Sequence, residues 1–133
     1  MIVFVDTSAF YALLDSSDRR HREAARIWAG LLDSGADLET HNYVIVETAA
    51  LVERRLGEAS YGAFFDGLLG VVRVVWVDED AHRRAEGAMR AASKSGLSLV
   101  DCVSFEVIRR RAVETAFAFD HHFEENGFTI LKS

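Results

Sequence analysis

The sequence predicts an α/β domain, a three-layer α/β/α fold with a mostly parallel central sheet, and three observations lead there. Short β-branched runs alternate along the chain with longer stretches of helical period. That alternation is the pattern of βαβ units, which bury a parallel sheet under helices on both faces. No linker, repeat or low-complexity tract interrupts the 133 residues, the usual size of one domain, so residues 1–133 are read as a single unit.

The elements follow in order. Residues 2–5 (Ile2, Val3, Phe4, Val5) form the first strand, ended by Asp6. Residues 19–33 carry Ala24, Ile27, Trp28, Leu31 and Leu32 at helical spacing, with Ser17 or Asp18 as cap and Gly35 as stop. A weak strand lies near Asp37 to Thr40. Asn42 opens a helix that runs to Leu56 and stops at Gly57, and a second helix from about Ser60 to Leu69 makes a hairpin with it. The run Val71, Val72, Arg73, Val74, Val75, Trp76, Val77 is the next strand. Asp78 caps a helix over 79–93, and Ser98 caps another over 99–112. Residues 115–119 and 128–131 are the last strands, joined by a short turn from His121 to Asn126 and by Gly127. With no proline in the chain, the turns rest on Gly, Asn, Asp and Ser.

Composition narrows the class. Half of the residues are hydrophobic and 27% are charged, a balance typical of a soluble globular fold. Cys102 is the single cysteine, which rules out an internal disulfide and a thiolate set for zinc and fits a reducing compartment. The N-terminal apolar run is too short for a signal peptide, and no stretch approaches a membrane span, so a cytoplasmic protein without membrane contact is expected. A formal net charge of -6 weighs against a nucleic-acid partner. Against that, Lys94 and Lys132 are the only lysines among 15 basic residues, and arginine suits bidentate phosphate contact. The arginines cluster at Arg19, Arg20 and Arg22 and at Arg109, Arg110 and Arg111, where local charge opposes the net.

Four acids stand where acids are costly. Asp6 closes an apolar strand, Glu47 lies between Val44, Ile45, Val46 and Ala49, Ala50, Leu51, Asp101 follows Leu97, Leu99 and Val100, and Asp120 ends Ala116, Phe117, Ala118, Phe119. An ionised carboxylate among apolar residues needs partners or stays protonated. Asp6 and Asp120 fall at carboxyl ends of strands, where open α/β sheets bind ligands, and Glu47 and Asp101 fall in the first turns of helices near the same end. Four acids converging there suggest a metal site. Each also has a plainer reading. Asp6 before Thr7 and Ser8 is a helix cap, Ser98 to Asp101 is a capping box, and Asp120 is a turn residue. Only Glu47, with apolar helical neighbours, lacks such an explanation. His121 and His122 are set outside the site, because adjacent side chains diverge and a polar turn accounts for them. Cys102 is read as a small buried residue without a base beside it. Tyr61, Phe64 and Phe65 on the helical hairpin serve a partner groove or ordinary core.

The segments Val5 to Phe10, Asn42 to Leu51, Leu97 to Phe105 and Ala118 to Phe128 together resemble the PIN-domain ribonucleases, most closely the VapC-type toxins of toxin–antitoxin pairs. The resemblance spans nearly the whole chain. It implies a parallel α/β/α sandwich, Mg²⁺ or Mn²⁺ in an acidic pocket, and endonucleolytic cleavage of RNA by a metal-activated water. It makes Asp6, Glu47, Asp101 and Asp120 the acidic quartet; within it the chemistry of a hard cation assigns Asp6 and Asp101 as main metal ligands, Glu47 as a ligand or an orienter of the water, and Asp120 as a second-metal or water-mediated ligand. It also implies a homodimer and a cognate antitoxin protein that silences the pocket. A non-catalytic binding module on the same fold, or a housekeeping RNA-processing nuclease, stands as the alternative. A haloacid-dehalogenase phosphatase is disfavoured because Ser8 stands where a second Asp is needed, and a receiver domain because neither lysine is suitably placed.

Overall fold

A computed structural model describes all residues from Met1 to Ser133. Five strands, β1 (Ile2–Val5), β2 (Asp37–His41), β3 (Arg73–Val75), β4 (Thr115–Phe117) and β5 (Thr129–Ile130), form one sheet in the order β3-β2-β1-β4-β5. Every pairing is parallel. The most apolar strand, β1, therefore sits at the centre, with Val3, Phe4 and Val5 buried. The chain winds outward from β1 to β3 and then returns to the other side of β1 for β4 and β5. That reversal leaves a crevice at the carboxyl ends of β1 and β4.

Six helices cover the sheet: α1 (Thr7–Leu14), α2 (His21–Asp33), α3 (Asn42–Arg55), α4 (Glu79–Ala91), α5 (Leu99–Arg110) and α6 (His122–Glu125). Phe4, Phe10, Phe64, Phe117 and Phe123 are fully buried in the main core, each burial stabilising by roughly 1.5–3 kcal/mol. A second apolar cluster forms where Ala85 of α4 meets Cys102, Val103 and Val107 of α5. No helix is long and apolar enough to cross a membrane.

The expected boundaries shift in three places. Asp18 does not cap α2, which begins at His21; its Oδ1 instead accepts from Arg20 N at 2.8 Å in the preceding turn. Asn42 opens α3 as expected, and His41 caps it, its Nδ1 accepting from Tyr43 N and Val44 N at 3.1 and 3.3 Å. Residues 58–71 are not one helix but short 3₁₀ and π-type turns, because Gly62, Gly67 and Gly70 weaken regular i→i−4 pairing. The strand expected over 71–77 shrinks to β3, and Trp76 lies outside the sheet, 73% exposed. Phe64 is core, edge-on to Phe10 at 5.4 Å, while Phe65 faces outward.

Candidate metal centre

Asp6 leaves β1 in extended conformation and caps α1: its Oδ2 accepts from Ser8 N at 3.1 Å and from Ser8 Oγ at 2.7 Å. The cap reading is thus correct, but it uses one oxygen only. The residue is 5% exposed and no cation pairs with it. Burial pushes its carboxyl from 3.8 up to about 7; the Ser8 bonds pull against that shift, and the charges of Asp101 and Glu47 push with it. Three of the four expected acids therefore share one electrostatic neighbourhood.

Glu47 is placed by the seating of α3. Thr48 Oγ1 donates to Thr7 Oγ1 at 3.1 Å, which fixes α3 on α1 in a buried contact. Glu47 is half-buried beside Tyr43, Val46 and Val100, with no hydrogen-bond partner of its own. Asp101 completes the expected capping box: Ser98 Oγ accepts from Asp101 N, and Asp101 Oδ2 accepts from Ser98 N, both at 3.1 Å. Here too one carboxylate oxygen stays free.

Asp120 lies three residues beyond β4. Ser8 Oγ, which donates to Asp6, accepts from Phe119 N at 2.9 Å, so one hydroxyl ties the ends of β1 and β4 together. Asp120 Oδ1 accepts from His122 N at 2.9 Å and starts α6. This turn folds the His122 ring back between the acids, with Nδ1 2.9 Å from Asp120 Oδ1 and 4.0 Å from Asp101 Oδ2. His122 thus belongs to the site, contrary to the expectation from adjacent-residue directions. That rule fails where a turn, not a strand, carries the pair. An Asp and a His two apart at a strand end was the available signal.

A fifth acid shows what a structural carboxylate looks like here. Glu39 of β2 is buried, and Arg111 grips it through two bonds of 2.5 and 2.6 Å. None of Asp6, Glu47, Asp101 and Asp120 has an arginine or lysine partner. Oxygen donors gathered without a counter-charge, around the buried and unpartnered His122 Nδ1, fit a hard divalent cation.

The arginine clusters divide in role. Arg110 pairs with Asp78, Asp80 and Glu106, Arg111 with Glu39, and Arg109 lies over the rings of Phe105 and Phe128, so that cluster is structural. Arg19 and Arg20 are exposed and line a hollow with Thr7, Ser8, Tyr11 and Phe119, directly beside the Asp6 cap, where Arg20 lies over the Phe119 ring at 5.4 Å and stands 3.9 Å from Glu23.

Comparison with known proteins bears on the family and the fold. The family model described as the PIN domain matches residues 3–129. The chain is 37% identical over 132 residues to the 23S rRNA-specific endonuclease VapC20 of Mycobacterium tuberculosis, covering 98% of each. The crystal structure of Mycobacterium tuberculosis VapC20, described as a sarcin–ricin loop cleaving toxin, matches over 100% of both chains with a TM-score of 0.89 at 34% identity. VapBC2 of Rickettsia felis, bound to a promoter DNA fragment, matches with a TM-score of 0.73 over 98% of both chains; at 11% identity this bears on the fold alone.

Proposed function

The chain belongs to the PIN-domain family, and from that premise we propose that it is a metal-dependent endoribonuclease, the toxin of a toxin–antitoxin pair, which cuts 23S rRNA in the sarcin–ricin loop. The observation that carries the reading is the set of acids without arginine or lysine partners at the crevice between β1 and β4. The likeness to VapC20 over nearly the full length of both chains supports the substrate.

Asp6 and Asp101, each with one oxygen not used by its cap, would hold the ion, with Asp120 as a further ligand. Magnesium or manganese bound there supplies a Lewis acid for a phosphate oxygen and a water of lowered pKa. Glu47, half-buried and without a hydrogen-bond partner, is the residue that would orient the attacking water and accept its proton. Ser8 keeps Asp6 in register with the Phe119 backbone, so the cap preorganises the ligand. Arg19 and Arg20 receive the flanking phosphates, which resolves the conflict with the negative net charge. The protein works as a homodimer and is silenced by a cognate antitoxin.

The test is cleavage of purified ribosomes and of an isolated sarcin–ricin stem-loop with Mg²⁺ or Mn²⁺. A single cut in the loop that EDTA abolishes, and that Asp101→Asn purified in parallel lacks, supports the proposal. Cleavage that persists in EDTA, or intact RNA under all conditions, overturns it.

A further inference from the structure

His122 is the one residue of the pocket whose chemistry the acidic quartet does not explain. Its ring is 15% exposed, stacked at 4.3 Å on the solvent-facing ring of His121, and its backbone carbonyl accepts from Asn126 Nδ2 at 2.8 Å. The backbone of His122 is thus tied into α6, and its ring lies against that of His121. Nδ1 is buried and makes no hydrogen bond, although Asp120 Oδ1 lies 2.9 Å away, because the direction of approach is wrong for one. A buried polar atom left so costs about 1–3 kcal/mol. Two donor atoms on neighbouring corners of an octahedron with bonds of roughly 2.1 Å stand about 3 Å apart. The Nδ1 and Oδ1 atoms already have that spacing, and Asp101 Oδ2 is 4.0 Å from the same nitrogen.

We propose that His122 supplies a nitrogen ligand to the cation of the acidic pocket and so favours first-row transition ions over magnesium. The inference rests on the metal-dependent function proposed above and adds to it a ligand of different chemistry. Magnesium prefers an all-oxygen shell, whereas imidazole nitrogen strengthens binding of transition ions. His121 is 73% exposed, with Nδ1 3.8 Å from Asp120 Oδ1 and Nε2 3.6 Å from Glu125 Oε1, so the ligand is assigned to the more buried His122 and His121 serves as the control.

Manganese is the probe, because it is paramagnetic and reports directly bound nitrogen. Pulsed EPR of Mn²⁺ on the full chain is expected to show imidazole nitrogen modulation, which His122→Asp removes while Mn²⁺ still binds. Calorimetry is expected to show the Mn²⁺ Kd rising about tenfold in that variant with a smaller change for Mg²⁺. His121→Ala keeps both the modulation and the ratio of affinities. If the Asp variant does not fold, His122→Phe fills the ring's volume without a nitrogen and gives the same readings. Mn²⁺ bound to the parent without nitrogen modulation, or modulation that survives replacement of His122, overturns the inference and leaves the nuclease proposal standing. A parent that binds neither ion overturns both.

Discussion

His41 and Ser104, 63 residues apart, are joined by a buried hydrogen bond of 2.8 Å between Nε2 and Oγ. Because Nδ1 accepts the two helix-terminal N–H groups of α3, the ring proton sits on Nε2 and donates to Ser104, which in turn donates to Val100 O at 2.9 Å. One neutral imidazole thereby links the helix that carries Glu47 to the helix that carries Asp101. Burial pushes its pKa from 6.5 down to about 3.

His41 and Asp6 are expected to drive stability in opposite directions with pH. Asp6 binds its proton more tightly folded (about 7) than unfolded (3.8), so between those values its contribution falls as pH rises. His41 binds its proton less tightly folded (about 3) than unfolded (6.5), so its contribution is full above 6.5 and is lost as pH falls toward 3. From about pH 4 to 6.5 the two largely cancel, each worth at most about 1.4 kcal/mol per pH unit. Relative to the parent in metal-free buffer, Asp6→Asn should gain stability with rising pH and His41→Asn should lose it. Urea melts at the two ends of that window check this, and slopes of equal sign contradict it.

The Glu39–Arg111 pair predicts a non-additive cycle. Removing Arg111 alone strands a buried charge, so Arg111→Met should cost about 2–3 kcal/mol, less than a fully buried pair because the guanidinium is partly exposed. Adding Glu39→Gln should recover much of that loss, because no unpaired charge then remains. Equilibrium unfolding of both single variants and the double variant measures the coupling; simple additivity would mean that the pair is unimportant.

The sheet was legible because buried parallel strands and amphipathic helices have different periods. Helix α1 was not, because Ala9, Phe10, Tyr11 and Ala12 are buried in succession and leave no polar stripe. The four quartet acids beside apolar runs stood out for the same reason that makes them costly. Glu39 escaped notice because it lies among Thr40 and His41 in a weak strand and its partner is 72 residues away. His122 depends on a turn geometry that residue spacing does not encode.

The two arginine clusters are expected to separate cleanly in RNA binding. Arg19→Ala and Arg20→Ala should each weaken binding of a sarcin–ricin stem-loop and lower the salt dependence by roughly one counterion, because they face the hollow beside Asp6. Arg110→Ala should instead lower stability and leave RNA affinity alone, since its guanidinium is engaged by Asp78, Asp80 and Glu106. Fluorescence anisotropy across a salt series, with catalysis blocked by EDTA, distinguishes the sets. An Arg110 effect on affinity equal to that of Arg19 would mean that the substrate approaches from elsewhere.

Asp101 tests whether its cap or its charge dominates. In Asp101→Asn the side-chain carbonyl still accepts from Ser98 N, so the capping box survives and only the negative charge is lost. That charge raises the Asp6 pKa, so its removal relieves repulsion inside the empty pocket. In metal-free buffer the variant should therefore melt at or above the parent. Saturating Mn²⁺ should reverse the order, because a cation at about a hundred times its Kd stabilises the parent by roughly 2.7 kcal/mol and has one ligand fewer in the variant. If the charge served the helix N-terminus alone, the variant would instead lose a few tenths to about 1 kcal/mol in either buffer. Thermal melts of the two proteins with EDTA and with Mn²⁺ decide between these outcomes, and a variant that melts lower in EDTA while the parent ignores Mn²⁺ would remove the case for a metal pocket.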